Sequence, residues 1–212
     1  MASGCSSQGS KPSGPPDLVG ANALDGLLLS PGDVDAIMKT SGMVAHPRVE
    51  VMSDHANLLP NLNCLGIWQV NERGVYGDKG WIALRQELLR TPDTDNWSKL
   101  AVQSVVNYPS TDDAKAFFTQ SADRWSKCTN HNVNITLNDK PLPRWRSGDL
   151  TKTDNSLAIP FTRGSGNGVD SCQRVLAVSD NVIIDAEACS RDVSTVTQAT
   201  DIANKIESKV PH

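Results

Sequence analysis

The sequence has no long hydrophobic run, no excess of one charge and few aromatic residues. Leu27–Leu29 is the longest apolar run near its beginning, far below the roughly 20 residues that a membrane-spanning helix needs. The net charge is −4 over 212 residues, without a block of like charges, which argues against a nucleic-acid partner. An apolar fraction of 38%, together with 15 glycines, is ordinary for one globular domain.

Motifs of catalysis and metal binding are also absent from the sequence. It contains no G-x-S-x-G, no H-E-x-x-H and no C-x-x-C. The glycine-rich run Gly164–Gly168 leads into a strand-like segment rather than a helix, so it does not predict a phosphate site. We therefore expect no catalytic residue, no metal and no cofactor. A hydrolase is the least favoured alternative, because it would need a Ser or Asp held beside His46, His55 or His131.

The first residues differ in composition from the rest. Ser, Gly and Pro dominate residues 1–20, so we predict a flexible tether over residues 1–22 and a folded domain over residues 23–212. Cys5 follows Ala2-Ser3-Gly4, which resembles the end of a bacterial lipobox, the signal whose cysteine becomes lipidated. We expect a longer precursor and a lipid on Cys5 that anchors the protein to the membrane. An incidental cysteine in the tail is the alternative.

Three helices are predicted by capping residues and apolar periodicity. The first begins at Ser30, with Pro31 and Asp33 in its first turn, and ends at Gly42. The others run from about Ser110 to Cys128 and from about Asp192 to Lys209. Strands are predicted over residues 80–88, 101–108, 132–138, 157–161, 172–179 and 182–189. Because helices and strands do not alternate strictly, the sequence favours an α+β fold with an antiparallel sheet.

A two-residue turn at Asp180-Asn181 predicts the register of the last two strands. The cross-strand pairs are then Cys172–Cys189, Arg174–Glu187 and Leu176–Asp185. Cys172 and Cys189 fall at a non-hydrogen-bonded pair, with Cα atoms roughly 4.5 Å apart, which suits a disulfide. If this bond forms, Cys64 and Cys128 remain as the second pair. Two disulfides imply an oxidising compartment outside the cytoplasm, whereas four buried free thiols are the alternative.

Several segments carry a resemblance to a known family. They are DVDAIMKTSG from Asp33 to Gly42, Cys64-Leu65-Gly66, Trp125-Ser126-Lys127-Cys128, and Cys172-Gln173-Arg174-Val175 with Asn181–Cys189. Together they resemble the PknH-like extracellular sensor domains of mycobacteria, and specifically their stand-alone lipoprotein form, over roughly residues 23–210. The resemblance implies one α+β domain: a mostly antiparallel, twisted sheet with helices packed on one face, a cleft on the other, and the same two disulfides. It also implies an unidentified extracellular ligand and no catalytic motif.

Two sets of polar residues are the candidates for ligand binding. Trp81, Arg85 and Glu87 alternate with apolar residues in the strand over residues 80–88, and Arg174, Asp185 and Glu187 do so in the hairpin. If these strands share a sheet, the mixed face floors a groove that could bind a sugar, a peptide or a lipid headgroup. A plain solvated sheet face is the alternative.

The sequence thus predicts a lipid-anchored, extracytoplasmic ligand-binding or sensor-like domain that is not an enzyme. Its expected partners are the membrane, through the lipid on Cys5, and an unidentified small-molecule, cell-wall or protein ligand. The alternative function is that of a structural or interaction lipoprotein that docks on another envelope protein.

Overall fold

A computed structural model describes residues 18–59, 61–138, 140–164, 169–191 and 193–211. The helices are α1 (Leu24–Leu27), α2 (Pro31–Met38), α3 (Leu62–Trp68), α4 (Arg73–Tyr76), α5 (Thr111–Ser126) and α6 (Gln198–Glu207). The strands are β1 (Val44–Ala45), β2 (Ala83–Thr91), β3 (Lys99–Asn107), β4 (Asn132–Val133), β5 (Thr136–Leu137), β6 (Lys140–Pro141), β7 (Trp145–Ser147), β8 (Thr151–Lys152), β9 (Ser156–Arg163), β10 (Asp170–Ser179) and β11 (Val182–Ser190). Cys5 and residues 165–168 lie outside the described residues.

Nine of the strands form one sheet, whose order is β1-β2-β3-β11-β10-β9-β7-β4, with β8 paired to β9. Every strand pairing in it is antiparallel. The strands β5 and β6 form a separate hairpin. The predicted fold class, an α+β domain built on an antiparallel sheet, is confirmed. In the part of the chain described above, no helix is long and apolar enough to cross a bilayer.

One side of the sheet, here called the first face, carries Val105, Val175 and Ile184 and packs against α1, α2 and α6. Helix α2 begins as predicted: the Ser30 hydroxyl accepts a hydrogen bond from the backbone N–H of Asp33, whose carboxylate accepts one from the backbone N–H of Ser30. The left-handed residue that ends α2 is Lys39, not Gly42. The apolar stripe of α6 completes this core with Ile202 and Ile206.

The opposite side, the second face, carries Arg174, Asp185 and Glu187 among apolar residues. Helices α3, α4 and α5 pack over the half of this face that contains Leu84, Val106, Leu157, Leu176 and Ile183. Helices therefore pack against both faces of the sheet. The remainder of the second face forms a cleft.

The hairpin of β10 and β11 has the predicted register. Cys172 lies opposite Cys189, and the two form a disulfide with a Cα–Cα distance of 4.0 Å. The second disulfide joins Cys64 in α3 to Cys128 just after α5, with a Cα–Cα distance of 5.3 Å. Both predicted disulfides are thus present, and the second one ties α3 to α5.

The ends of the domain differ from the sequence-based boundaries. Val19, which falls in the predicted tether, is buried; its backbone N–H donates to Asn181 Oδ1 at 2.9 Å and its carbonyl accepts from Asn107 and Asn181. At the other end, α6 begins at Gln198 rather than near residue 192. The backbone N–H of Val193 instead donates to the carbonyl of Val169, and its carbonyl accepts from the Ser171 hydroxyl, so this residue is tied to the start of β10.

Candidate ligand-binding site

The cleft on the second face has a volume of about 240 Å³. Its floor is formed by β2, β3, β9, β10 and β11, and its walls by the end of α3, the loop between β2 and β3, and β7. The lining residues are Trp68, Gln69, Leu88, Trp97, Leu100, Val102, Trp145, Phe161, Cys172, Glu187 and Cys189. Glu187 is therefore the single charged side chain in an otherwise apolar and aromatic lining.

The Glu187 carboxyl lies beside the disulfide of the hairpin. Its Oε1 is 3.2 Å from the Sγ of Cys189, a bonded sulfur that has no proton to donate. No salt bridge reaches Glu187 from the described residues. Burial raises the pKa of Glu187 to about 7; the charge of Arg174 opposes this rise and that of Asp185 adds to it.

Three tryptophans from distant parts of the chain form the walls. The Trp145 ring packs edge-on against Phe161, with centroids 5.0 Å apart, and Arg163 lies 4.8 Å from its centre. Arg191 lies 4.6 Å from the centre of the Trp97 ring. Trp68, at the end of α3, meets the His55 ring edge-on at 6.0 Å. Each indole is therefore held by contacts with neighbouring side chains.

A buried polar network lies beneath the cleft. The guanidinium of Arg174 donates to Asp185 Oδ1 at 2.5 Å and to the carbonyls of Ala186, Gly66 and Gln69. Arg174 and Asp185 are essentially inaccessible to solvent. Because Gly66 lies in α3 and Gln69 directly follows it, the network fixes the segment that carries Trp68 and Gln69.

Asp185 extends this network to the next helix. Its Oδ2 accepts hydrogen bonds from the Tyr76 hydroxyl at 2.9 Å and from the backbone N–H of Asn71 at 3.1 Å. Arg174 and Asp185, expected as ligand-binding residues, therefore lie inside the core. They support the wall of the cleft and do not line it.

The other predicted set lies elsewhere. Arg85 pairs with Val105 and Glu87 with Gln103 in register, which places both on the first face. The alternation within β2 was predicted correctly, but periodicity alone does not relate the faces of two distant strands. The expected common face for the two sets is therefore not observed. Trp81 precedes β2, and its indole N–H donates to the carbonyl of Gly77.

Arg85 and Glu87 belong to an ion-pair network at the edge of the first face. Arg85 Nε is 2.9 Å from Asp25, which also binds Arg48 at 2.6 Å. Glu87 accepts hydrogen bonds from Arg48 and from the buried amide of Gln103. These groups satisfy one another and connect α1 to the sheet. Of the six residues predicted to bind ligand, only Glu187 lines the cleft.

Two of the three histidines that a hydrolase would require have carboxylate partners. His46 lies 2.8 Å from Asp93, an exposed residue that also binds Arg90, and His55 lies 2.5 Å from the buried Glu72. Across the described ranges, no side-chain hydroxyl is hydrogen-bonded to a histidine ring. Only the backbone N–H of His131 contacts a serine, Ser147.

A second depression, of about 500 Å³, lies between α5 and the turn before β9. It is lined by Lys115, Phe118, Thr119, Lys152, Thr153, Asp154, Asn155, Val178 and Asp180. Its lining carries charges of both signs and has one aromatic side chain, Phe118, whereas the cleft has four. We therefore take the cleft as the candidate site.

The chain is similar to known proteins over almost its whole length. The model of the family described as PknH-like extracellular domain matches residues 19–209. The serine/threonine-protein kinases PknH of Mycobacterium bovis and Mycobacterium tuberculosis are each 31% identical over 200 residues; this covers 94% of the chain, but 33% and 31% of the kinases. The chain thus spans about a third of the length of these curated relatives. The crystal structure of the extracellular domain of PknH from M. tuberculosis matches with a TM-score of 0.81 at 30% identity, covering 91% of this chain and 97% of that one.

Proposed function

We propose, since this chain belongs to the family of PknH-like extracellular domains, that it is an extracytoplasmic sensor-type domain that binds a small ligand in the cleft. The observation that carries the proposal is the half-buried Glu187 carboxyl at the floor of an aromatic cleft, without a salt-bridge partner among the described residues. An apolar pocket with very few, well-placed polar groups is typical of a ligand site.

The construction of the cleft also supports binding. Arg174 fixes the end of α3 through the carbonyls of Gly66 and Gln69, and the Cys172–Cys189 disulfide holds the floor. A site with a fixed wall and a fixed floor loses little conformational entropy when a ligand enters, which favours affinity.

A cleft-filling variant tests this function. Leu100 is partly exposed on the floor of the cleft, so Leu100→Trp fills the space with little disturbance of the core. Ile82, which is 54% exposed and does not line the cleft, gives the matched control Ile82→Trp. Each protein is mixed with small molecules extracted from a bacterial envelope, dialysed and weighed by native mass spectrometry. We expect a defined added mass on the wild type and on Ile82→Trp but not on Leu100→Trp. Equal retention by all three proteins, or by none, would refute the proposal.

We further propose that a lipid on Cys5 anchors the domain to the outer side of the membrane. Cys5 lies outside the described residues, and the proposal is supported by the A-S-G-C sequence and the Ser/Gly/Pro-rich segment after it. Expressed behind a lipoprotein leader in a mycobacterium, the protein should partition into detergent, whereas Cys5→Ala should remain in the aqueous phase. Aqueous partition of both would refute the anchor.

Docking on another envelope protein is the second candidate function. Val44, Val49 and Val51 are exposed beside β2, where β1 forms the edge of the sheet. An exposed edge with β-branched residues can accept a strand from a partner. Val51→Lys should then abolish a stoichiometric complex with an envelope protein, and ligand retention in the cleft should be unchanged.

A further inference from the structure

The electrostatics of the cleft depend on where Arg174 points. Arg174 is the cross-strand neighbour of Glu187, but its guanidinium bonds to Asp185 and to three backbone carbonyls. Among the described residues, Glu187 is left as the one ionisable group that faces the cleft. A half-buried carboxylate without a partner is only partly hydrated, so a ligand that supplies a positive charge would be stabilised by it.

The walls provide a second means of binding a cation. Indole rings carry negative charge on their faces and attract cations within about 6 Å of the ring centre. Trp97 and Trp145 already make such contacts with Arg191 and Arg163 on this domain. The charge of Arg163 is balanced by Asp170 at 2.6 Å. Trp68 adds a third indole to the same lining.

The size of the cleft limits the group that can enter. Its volume of about 240 Å³ lies below the range of roughly 300–1,000 Å³ that is usual for drug-sized ligands. A single headgroup would fill it, whereas an oligosaccharide or a whole lipid would extend beyond it. Besides the three indole N–H groups, the lining offers only Gln69 and Glu187 as polar side chains, which is few hydrogen-bonding groups for a sugar ring.

We propose that the cleft binds a small organic cation, an ammonium or quaternary ammonium group, paired with Glu187 and enclosed by Trp68, Trp97 and Trp145. This inference rests on the proposed function of the cleft and names the chemical class of its ligand. A neutral group of the same shape would gain the apolar contacts but not the ion pair. An anionic group would meet the charge of Glu187.

Choline and its uncharged carbon analogue, 3,3-dimethylbutan-1-ol, have nearly the same shape but differ in charge. Comparing them therefore separates the effect of charge on binding from that of shape. Each is titrated calorimetrically into the intact chain at millimolar concentrations. We expect choline to bind at least tenfold more tightly than the alcohol. Glu187→Gln should weaken choline binding at least tenfold and leave the alcohol unchanged. Glu50→Gln is the matched control, because Glu50 is exposed and lies near Arg85, outside the cleft; it should bind choline like the wild type.

The remaining outcomes distinguish the two proposals. Equal binding of choline and the alcohol, or full choline binding by Glu187→Gln, would overturn the cation inference. If choline does not bind but the wild type retains a defined mass that Leu100→Trp does not, the ligand class is wrong and the proposed function stands. If choline does not bind and no mass is retained, both proposals are refuted.

Discussion

Arg174 lies directly opposite Glu187 across the β10–β11 hairpin, but its guanidinium binds Asp185 on the same strand as Glu187. Asp185 accepts two further hydrogen bonds, from Tyr76 and Asn71. The Arg174–Asp185 pair therefore has more hydrogen bonds than an Arg174–Glu187 pair would have. Arg174 thus completes the buried network beneath α3, and the Glu187 carboxyl is left facing the cleft. Asp185 thus supports the core, whereas Glu187, two residues further along the strand, is the acid that we propose for ligand recognition.

Removing Arg174 should destabilise the domain severely. Arg174→Met leaves Asp185 as a buried charge without a counter-ion, and we expect a loss of about 3–5 kcal/mol in the free energy of unfolding. The double variant Arg174→Met/Asp185→Leu should recover part of this loss, since it removes both charges. The free energies of unfolding of the wild type and of the two variants are measured by urea denaturation. A loss below about 1 kcal/mol in the single variant would contradict a structural role for the pair.

Glu187 should make stability fall as the pH rises. Its pKa of about 7 in the folded protein lies above its ordinary value of 4.5, so the folded state binds more protons between these values. Stability is then greatest below about pH 4.5 with respect to this group and is lost progressively up to about pH 7. The groups whose charges act on it are Arg174 and Asp185, and their effects oppose each other.

The size of this effect follows from the pKa shift. With allowance for the partial exposure of Glu187, it is about 2 kcal/mol. Glu187→Gln should be more stable than the wild type by about this amount at pH 8 and nearly equal to it at pH 4.5, as measured by denaturation at both pH values. Glu50→Gln serves as the control and should retain the wild-type slope. If the stability of Glu187→Gln changed with pH as that of the wild type does, other groups would be responsible for the pH dependence.

The two disulfides should contribute unequally. The Cys64–Cys128 bond closes a loop with a sequence separation of 64, and the Cys172–Cys189 bond one of 17. Loop-closure entropy then gives about 4 and about 3 kcal/mol, respectively. The paired serine variants, compared by denaturant unfolding, should follow this order. Loss of the second bond should also weaken ligand retention, because Cys172 and Cys189 line the cleft. Undiminished retention would show that the floor does not need the bond.

Asn181 should couple the start of the chain to the last hairpin. Its side chain bonds to both backbone groups of Val19 and to the carbonyl of Tyr108. We expect Asn181→Ala to cost about 2 kcal/mol, and deletion of residues 1–22 to cost a similar amount. Combined, the two changes should cost less than their sum, because they break the same contacts. Strict additivity in chemical denaturation would contradict this coupling.

Local signals predicted the hairpin and two helix starts. A two-residue turn is compatible with only one register. This register both pairs Cys172 with Cys189 and places the apolar residues together on the first face. Ser30 and Ser110 precede acidic residues that complete their caps, and both helices begin there. Each of these features is determined within about 20 residues, and they could therefore be read from the sequence.

The cleft could not be predicted in the same way. Helix α3 has seven residues, too few for a clear helical period, and its cap, Asn61, is compatible with a turn as well. Because α3 was not predicted, the second face was expected to be an open polar surface, and Arg174 was expected to bind ligand. Trp68, Trp97 and Trp145 converge from three unrelated segments, and no spacing in the sequence indicates that they meet.

The indole N–H signals of the five tryptophans test most directly whether the cleft is the ligand site. Three of these residues line the cleft, whereas Trp125 is buried in the core and Trp81 lies beside Gly77. In NMR spectra recorded during titration with fractionated envelope extract, we expect the signals of Trp68, Trp97 and Trp145 to shift together, and those of Trp81 and Trp125 to stay in place. Shifts confined to Trp81, or no shift with any fraction, would contradict a ligand site in the cleft.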